Sequence, residues 1–245
     1  TYLRRTLSAL VDERLEGKVR SDDFLGLLIA ALAERFAPDQ ARSLAIDNAA
    51  TFYLAGHETT SNALAWTLYL LSEQPDLQDE LAREASAALA APGWSEQPLT
   101  AALPVLHAVL QESLRLYPPA PRFDRQAVEA DTLPNGAAVA PGDIISIWPW
   151  LVHRSRRLWD DPDAFDPLRF APGRPKPGRY HYLPFGAGPR ICVGAQFATT
   201  EALTILSHWL RDWRFVSTGR AVQVSGLVTM RPRGGLKLWI ERRSR

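Results

Sequence analysis

Apolar residues recur at helical spacing through the first half of the chain and in short, broken runs through the second. Up to about Tyr117, Ala- and Leu-rich stretches with few β-branched runs predict helices. One helix is predicted from Thr1 to about Glu16, stopped near Gly17, and a second, capped by Asp22-Asp23, runs through about Phe36. The longest pattern, about Asp39 to Ser72, would span roughly 50 Å if straight. Its apolar positions (Leu44, Ile46, Phe52, Leu54, Leu64, Trp66, Leu68 and Leu71) go almost all round, which predicts a central buried helix. Helices follow from Pro75 to about Leu89 and from about Ala102 to Leu116, the latter ended by Pro118-Pro119 because a residue before proline avoids the helical region.

The period then changes. Arg125–Val128, Ala137–Val139 and Ile144–Trp148 read as short strands, separated by Pro134-Asn135-Gly136 and Pro141-Gly142. Proline and glycine are densest between Pro162 and Gly194, a long irregular segment of the kind that is usually functional or disordered. A last long helix is predicted over about Val193–Trp213, and Leu227–Thr229 with Leu236–Ile240 as a closing hairpin around Gly234-Gly235. The expected class is mainly α with small β-sheets (α+β).

Composition narrows the function. The 245 residues carry 28 Lys plus Arg against 27 Asp plus Glu, so no basic footprint points to nucleic acid. A single cysteine, Cys192, excludes an internal disulfide and a multi-cysteine zinc site. No run approaches the 18 or so apolar residues of a spanning helix, and the start has no signal-peptide core. A cytoplasmic location is the expectation, with membrane attachment left open.

Four constellations carry chemistry. In Phe185-Gly186-Ala187-Gly188-Pro189-Arg190-Ile191-Cys192-Val193-Gly194, the lone cysteine ends a glycine-rich loop and stands at the start of a helix. Glycines let backbone amides turn toward the sulfur, and a helix N-terminus adds positive potential that suits an anionic sulfur. That pattern fits a metal ligand or a nucleophile, although a lone cysteine on its own is more often a small buried hydrophobe. Second, Ala55-Gly56-His57-Glu58-Thr59-Thr60 puts glycine in mid-helix at a cost of about 1 kcal/mol relative to alanine. Gly56 would let a flat group approach the backbone, and Thr59 can bond back to a carbonyl one turn earlier. A zinc-protease reading of His57-Glu58 fails because position 61 is serine. Third, Glu112 and Arg115 are spaced by three on one helix face. Fourth, Pro118-Pro119-Ala120-Pro121-Arg122-Phe123-Asp124-Arg125 follows that helix, and Arg122 and Arg125 on their own read as surface charges. His107, His153, His181 and His208 have no metal-ligand spacing and read as surface or hydrogen-bonded structural histidines.

Together these motifs resemble the cytochrome P450 family, whose Phe-x-x-Gly-x-Arg-x-Cys-x-Gly pattern is matched at every fixed position by Phe185, Gly188, Arg190, Cys192 and Gly194. The resemblance implies a P450-like fold with its N-terminal portion absent, and heme b (iron protoporphyrin IX) with Cys192 as the axial thiolate and metal ligand. It further implies that Arg190 and Arg125 pair with haem propionates, that Phe185 lies near the sulfur, and that Gly186 and Gly194 shape the loop. Haem would lie between Ala55–Thr60 and the Cys192 loop, with Ala55 and Gly56 against it and Glu58 and Thr59 delivering protons to dioxygen. Glu112 and Arg115, joined by Arg169, would form a buried structural network, while Ala120, Phe123 and Leu227 would face substrate.

The implied activity is monooxygenation of an apolar small molecule, with electrons from a ferredoxin or flavoprotein reductase. The alternatives are a haem-thiolate peroxygenase or rearrangement enzyme, or a haem-binding fragment without turnover. Arg174, Lys176, Arg179 and Arg211 are the basic residues expected to dock the electron donor.

Overall fold

The computed structural model describes residues 2–17, 22–94, 96–226 and 228–244, which form two compact units, the first ending at Glu58 and the second beginning at Thr59. In the first unit α1 (Tyr2–Leu15) and α2 (Phe24–Ala33) pack on the early turns of α3 (Pro38–Ser72). The seam is apolar: Leu7, Val11, Ala45 and Ile46 are buried together, with Leu25 and Ile29 against them. At its edge Arg42 forks onto Asp12 at 2.6 and 2.7 Å and reaches Ser8 at 2.7 Å. Of the two expected capping aspartates, Asp23 does the work, accepting the Gly26 N–H at 2.9 Å and so satisfying one of the orphan donors of α2.

The second unit is built around the remainder of α3, α4 (Pro75–Ala90), α5 (Leu99–Ala102) and α6 (Pro104–Leu116), with a later helix described below. The sequence pattern predicts one helix from about Ala102 to Leu116 and no separate α5. The two helices α5 and α6 are separate because Leu103 precedes Pro104 and sits outside the helical region at φ −128°, ψ 58°. After α6 come β1 (Phe123–Gln126), β2 (Asp131–Thr132), β3 (Ala138–Val139), β4 (Ile144–Ile147) and the one-turn α7 (Pro149–Val152). An irregular stretch then leads to α8 (Ala195–Asp212), followed by β5 (Trp213–Ser217), β6 (Val224–Gly226), β7 (Met230–Pro232) and β8 (Leu238–Arg242).

Among the described residues the sheets are four antiparallel pairs: β1 with β4, β2 with β3, β5 with β8, and β6 with β7. The closing hairpin expected between 227–229 and 236–240 is therefore corrected. Phe215 opposes Ile240 across β5–β8, whereas Gly226 opposes Met230 across β6–β7. Phe215 is buried in the helical core, so pairing there lets β8 build on a strand that is already held, which a local turn could not offer.

The main core is a leucine interleaf of α3, α4, α6 and α8, including Leu71, Leu81, Leu106, Leu110, Leu203 and Leu206. Each such side chain contributes about 1.5–3 kcal/mol by leaving water. Of the polar residues buried on these helices, Gln78 makes the most far-reaching contacts. Gln78 Nε2 donates to the carbonyls of Leu71 and Phe215 at 2.7 and 2.8 Å, while its Oε1 accepts the Phe215 N–H at 2.9 Å. A single amide thus joins α3, α4 and β5. Gln78→Ala removes the side-chain partners of both Phe215 backbone groups and one of two donors to Leu71 O, which keeps the Gln74 N–H at 2.9 Å, and is expected to cost about 3 kcal/mol. Urea unfolding measures it, and a loss below about 1 kcal/mol would show that water replaces the amide.

The long α3 is not buried throughout. Trp66 and Leu71 are fully buried, but Tyr53, Leu54, Ala55, Gly56 and His57 are exposed. The first-unit core covers the beginning of the helix and the second-unit core its end, and the segment 53–57 belongs to neither. No helix among the described residues is long and apolar enough to cross a membrane.

Candidate functional site

The segment leading to Cys192 is shaped by two glycines. Gly186 and Gly188 have φ +73° and +74°, where a Cβ would be strained, and they turn the chain into a 3-10 turn over Gly188–Arg190. The Gly186 N–H donates to Leu183 O at 3.1 Å, and the Cys192 N–H returns to Phe185 O at 2.9 Å, closing the loop on its own stem. Phe185 is half-buried and leans on the leucine core, so the stem is anchored in packing. Gly194 caps α8, and a Cβ placed on it would lie 3.9 Å from Cys192 Sγ. Helix α8 starts at Ala195, so the cysteine stands ahead of the helix and not in its first turn.

Cys192 carries a free, exposed thiol. Around it in sequence the side chains are of two kinds: apolar Ile191, Val193 and Phe197, exposed to 58%, 74% and 73%, and the exposed cation Arg190. Among the described residues no group of three or more His, Cys, Asp or Glu could hold a metal ion. A metal here would have to bring most of its own ligands. One soft sulfur donor flanked in sequence by exposed apolar side chains and a cation fits an amphipathic disc that carries its metal within it and its carboxylates at the edge.

Helix α6 carries a buried charge network. Glu112 and Arg115 on α6 have no solvent exposure at all. They meet in a bidentate pair, Arg115 Nε to Glu112 Oε2 at 2.7 Å and Nη2 to Oε1 at 2.8 Å. Arg115 also donates to three carbonyls in the irregular stretch: His153 at 2.8 Å, Pro162 at 2.7 Å and Ala164 at 3.0 Å. Its guanidinium lies 5.1 Å from the centre of the Trp159 ring. The Asp166 N–H donates to Glu112 at 2.9 Å. Arg169 arrives from the 3-10 turn Pro167–Phe170, its Nε 3.4 Å from Glu112 Oε1, an ionic contact without hydrogen-bond geometry. The structure thus brings Glu112, Arg115 and Arg169 together.

His153 belongs to this network, and no local spacing announced it, since its partners lie 30 and 38 residues away. Burial and the positive charges of Arg115 and Arg154 push its pKa down to about 4, outweighing the hydrogen bond to the Arg115 carbonyl, so the ring is neutral at pH 7.

The proline-rich segment after α6 is fastened to β7, where the Met230 N–H donates to Pro119 O at 2.9 Å and the Met230 carbonyl accepts Trp66 Nε1–H at 3.1 Å. Arg122 is occupied by Asp124, at 2.6 and 2.8 Å, with Trp148 beneath it. Arg125 donates to the Asp124 carbonyl at 2.8 Å and lies over the half-buried Phe123 ring at 5.1 Å. Ala120 is exposed, and Leu227 lies outside the described residues.

Ala55, Gly56 and Glu58 belong to the first unit and Thr59 opens the second. An added Cβ at Gly56 would meet no atom within 4 Å, so no packing in this chain requires glycine there. The ring of His57 stacks on Tyr53, 6.3 Å between centres. Glu58 and Thr59 are half-buried and Thr60 is buried.

The four basic residues expected to act together divide. Arg174, Lys176 and Arg179 line a groove of about 480 Å³, whereas Arg211 pairs with Asp212 at 2.7 Å and lines a separate groove of about 1230 Å³. The cause is position: Arg211 lies in the last turn of α8, and the others lie on the loop after Phe170.

Comparison with known proteins follows the same residues. The family model described as cytochrome P450 matches residues 12–234. "Cytochrome P450 4F8" of Homo sapiens is 32% identical over 247 residues, covering 97% of this chain and 47% of the relative. "Putative cytochrome P450 132" of Mycobacterium tuberculosis is 33% identical, covering 98% of this chain and 51% of the relative. A crystal structure of a cytochrome P450 (CYP102L1) superposes with a TM-score of 0.83 at 28% identity, over 99% of this chain and 55% of that one. The chain spans about half the length of the curated relatives it matches.

Proposed function

The chain belongs to the cytochrome P450 family, and we propose that the protein is a haem-thiolate monooxygenase in which the Cys192 thiolate is the axial ligand of heme b. Bound there, haem would supply the redox chemistry of dioxygen reduction, which no side chain of this protein provides. Cys192 would donate electron density through its sulfur. Arg190 and Arg125 would pair with the propionate carboxylates, a charge-assisted contact that fixes orientation as well as affinity. Phe185, held in the core, fixes the carbonyl that receives the Cys192 amide and so limits where the sulfur can go.

The balance of the reaction sets the task of the remaining residues. One dioxygen, two electrons and two protons convert a substrate C–H to C–OH and release one water. The family motif assigns proton handling to Glu58 and Thr59, with the carboxyl as reservoir and the Thr59 Oγ1–H as the group that passes a proton on. Gly56, which no packing in this chain requires, leaves the helix face at Ala55–Gly56 flat enough to accept a ring. The substrate class is apolar, with Ala120 and Phe123 assigned to its pocket. The electron donor assigned to this reading is a ferredoxin or flavoprotein reductase, which the family resemblance implies.

What carries the reading is the exposed thiol of Cys192 on a glycine loop closed by its own backbone, flanked in sequence by exposed apolar side chains and a cation. The test is the absorption spectrum of the haem-loaded, reduced protein under carbon monoxide. The expected result is the strongly red-shifted Soret band of thiolate ligation. A band at the position typical of nitrogen-ligated haem would overturn the assignment.

A further inference from the structure

His153 is fully buried and has no part in the chemistry proposed above, yet both of its ring nitrogens are committed. Nε2 accepts the Leu183 backbone N–H at 2.7 Å. A ring nitrogen that receives a hydrogen carries none, so in the neutral ring the proton is on Nδ1, which donates to the Arg115 carbonyl at 3.1 Å. The His153 carbonyl in turn accepts Arg115 Nη1–H at 2.8 Å. One residue is thereby tied to both the backbone and the guanidinium of Arg115. Its other partner, Leu183, is buried and begins the stem of the cysteine loop: Leu183 O accepts the Gly186 N–H, and two residues on, Phe185 O accepts the Cys192 N–H.

We propose that His153 is a positioning residue for Cys192, a neutral Nδ1–H imidazole that links the Glu112–Arg115 network to the loop stem at Leu183. The link needs a donor and an acceptor held a fixed distance apart and without charge. Lysine and arginine lack the acceptor and a carboxylate lacks the donor, whereas a glutamine amide has both at a spacing close to that of the two ring nitrogens. The groups around the ring agree with a neutral state. Arg115 on α6 and the adjacent Arg154 are cations that oppose a second proton, Glu112 is spent on Arg115, and Tyr182 covers one face at 5.4 Å. Protonating Nε2 would destroy its capacity to accept the Leu183 amide.

The inference concerns the loop named in the proposed function, but its readout needs no haem, so either can fail alone. Amide hydrogen exchange of the protein, corrected for intrinsic rates, is compared between wild type, His153→Phe and His153→Gln. In His153→Phe, exchange at Leu183, Gly186 and Cys192 is expected to rise about 10-fold or more, with α4 and α8 unchanged. Glutamine is expected to restore most of the protection. A rise spread evenly over the second unit, or loop protection that ignores the substitution, would overturn the proposal. Should the phenylalanine variant not fold, the wild type decides: between pH 7 and pH 4, protection at Leu183 and Cys192 is expected to fall together with the NMR titration of His153. Loop protection that stays constant while the ring titrates would refute the link.

Discussion

Arg115→Ala is expected to destabilise the second unit by about 3–5 kcal/mol, enough to leave a large unfolded population in a domain whose whole stability is about 5–15 kcal/mol. The cost is not that of a salt bridge lost. The guanidinium donates five hydrogen bonds, two to Glu112 and three to the carbonyls of His153, Pro162 and Ala164. With alanine in place, Glu112 would remain as a fully buried carboxylate with the Asp166 N–H at 2.9 Å and Arg169 at 3.4 Å, and three carbonyls would lose their donor. Lysine keeps the charge but offers a point donor in place of a planar fork, so Arg115→Lys should recover only part of the loss. Denaturant unfolding of Arg115→Ala, Glu112→Ala and the double variant measures this. The double variant is expected to cost clearly less than the two single changes summed, because removing both leaves no orphaned charge. An Arg115→Ala protein within about 0.5 kcal/mol of wild type would mean that the network is not what holds the irregular stretch in place.

That network shows how far the sequence could be read. The spacing of three put Glu112 and Arg115 on one helix face, a local fact available from the residues alone. The resemblance implied a buried network with Arg169, but the carbonyls it holds were not available, because they lie 38, 47 and 49 residues from Arg115 in a segment without periodicity. The same divide runs through the fold. Pro75 and Pro118 marked helix ends correctly, and Pro104 marked one that the apolar pattern on either side obscured. The pairing of β8 with β5 was missed because a nearby glycine pair suggests a local turn, while the actual partner is chosen by the burial of Phe215. In α3 the all-round apolar pattern said which positions could be buried, and not what covers them. Gln78 did leave a signal: it falls on the Leu81, Ala82, Ala85 stripe of α4, where a polar residue needs partners that only another element can supply. The cysteine loop was the most legible part, since its glycines, cation and thiol are adjacent in sequence and its closure from Cys192 N–H to Phe185 O is local.

Cys192→Ser is expected to do the opposite of Arg115→Ala, abolishing the proposed oxygen insertion while leaving the fold intact. The thiol is exposed and outside both apolar cores, and the bond that closes the loop is made by the backbone of residue 192, which serine retains. Surface changes of this kind fall within about 0.5 kcal/mol, so the urea midpoint should barely move. The proposed chemistry would not survive so mild a change. A serine hydroxyl is not ionised at neutral pH and its oxygen is a harder donor, so the electron push that favours O–O cleavage disappears with the sulfur. The expected record is a reduced carbon-monoxide spectrum without the red-shifted band, product formation at background, and an unfolding curve superimposable on wild type. A persistent thiolate-type band in Cys192→Ser would remove the ligand assignment outright, because the chain has no second cysteine to supply it. An unfolding curve displaced by several kcal/mol would instead place the sulfur in the packing, and the exposed rim of Ile191, Val193 and Phe197 would then need another explanation.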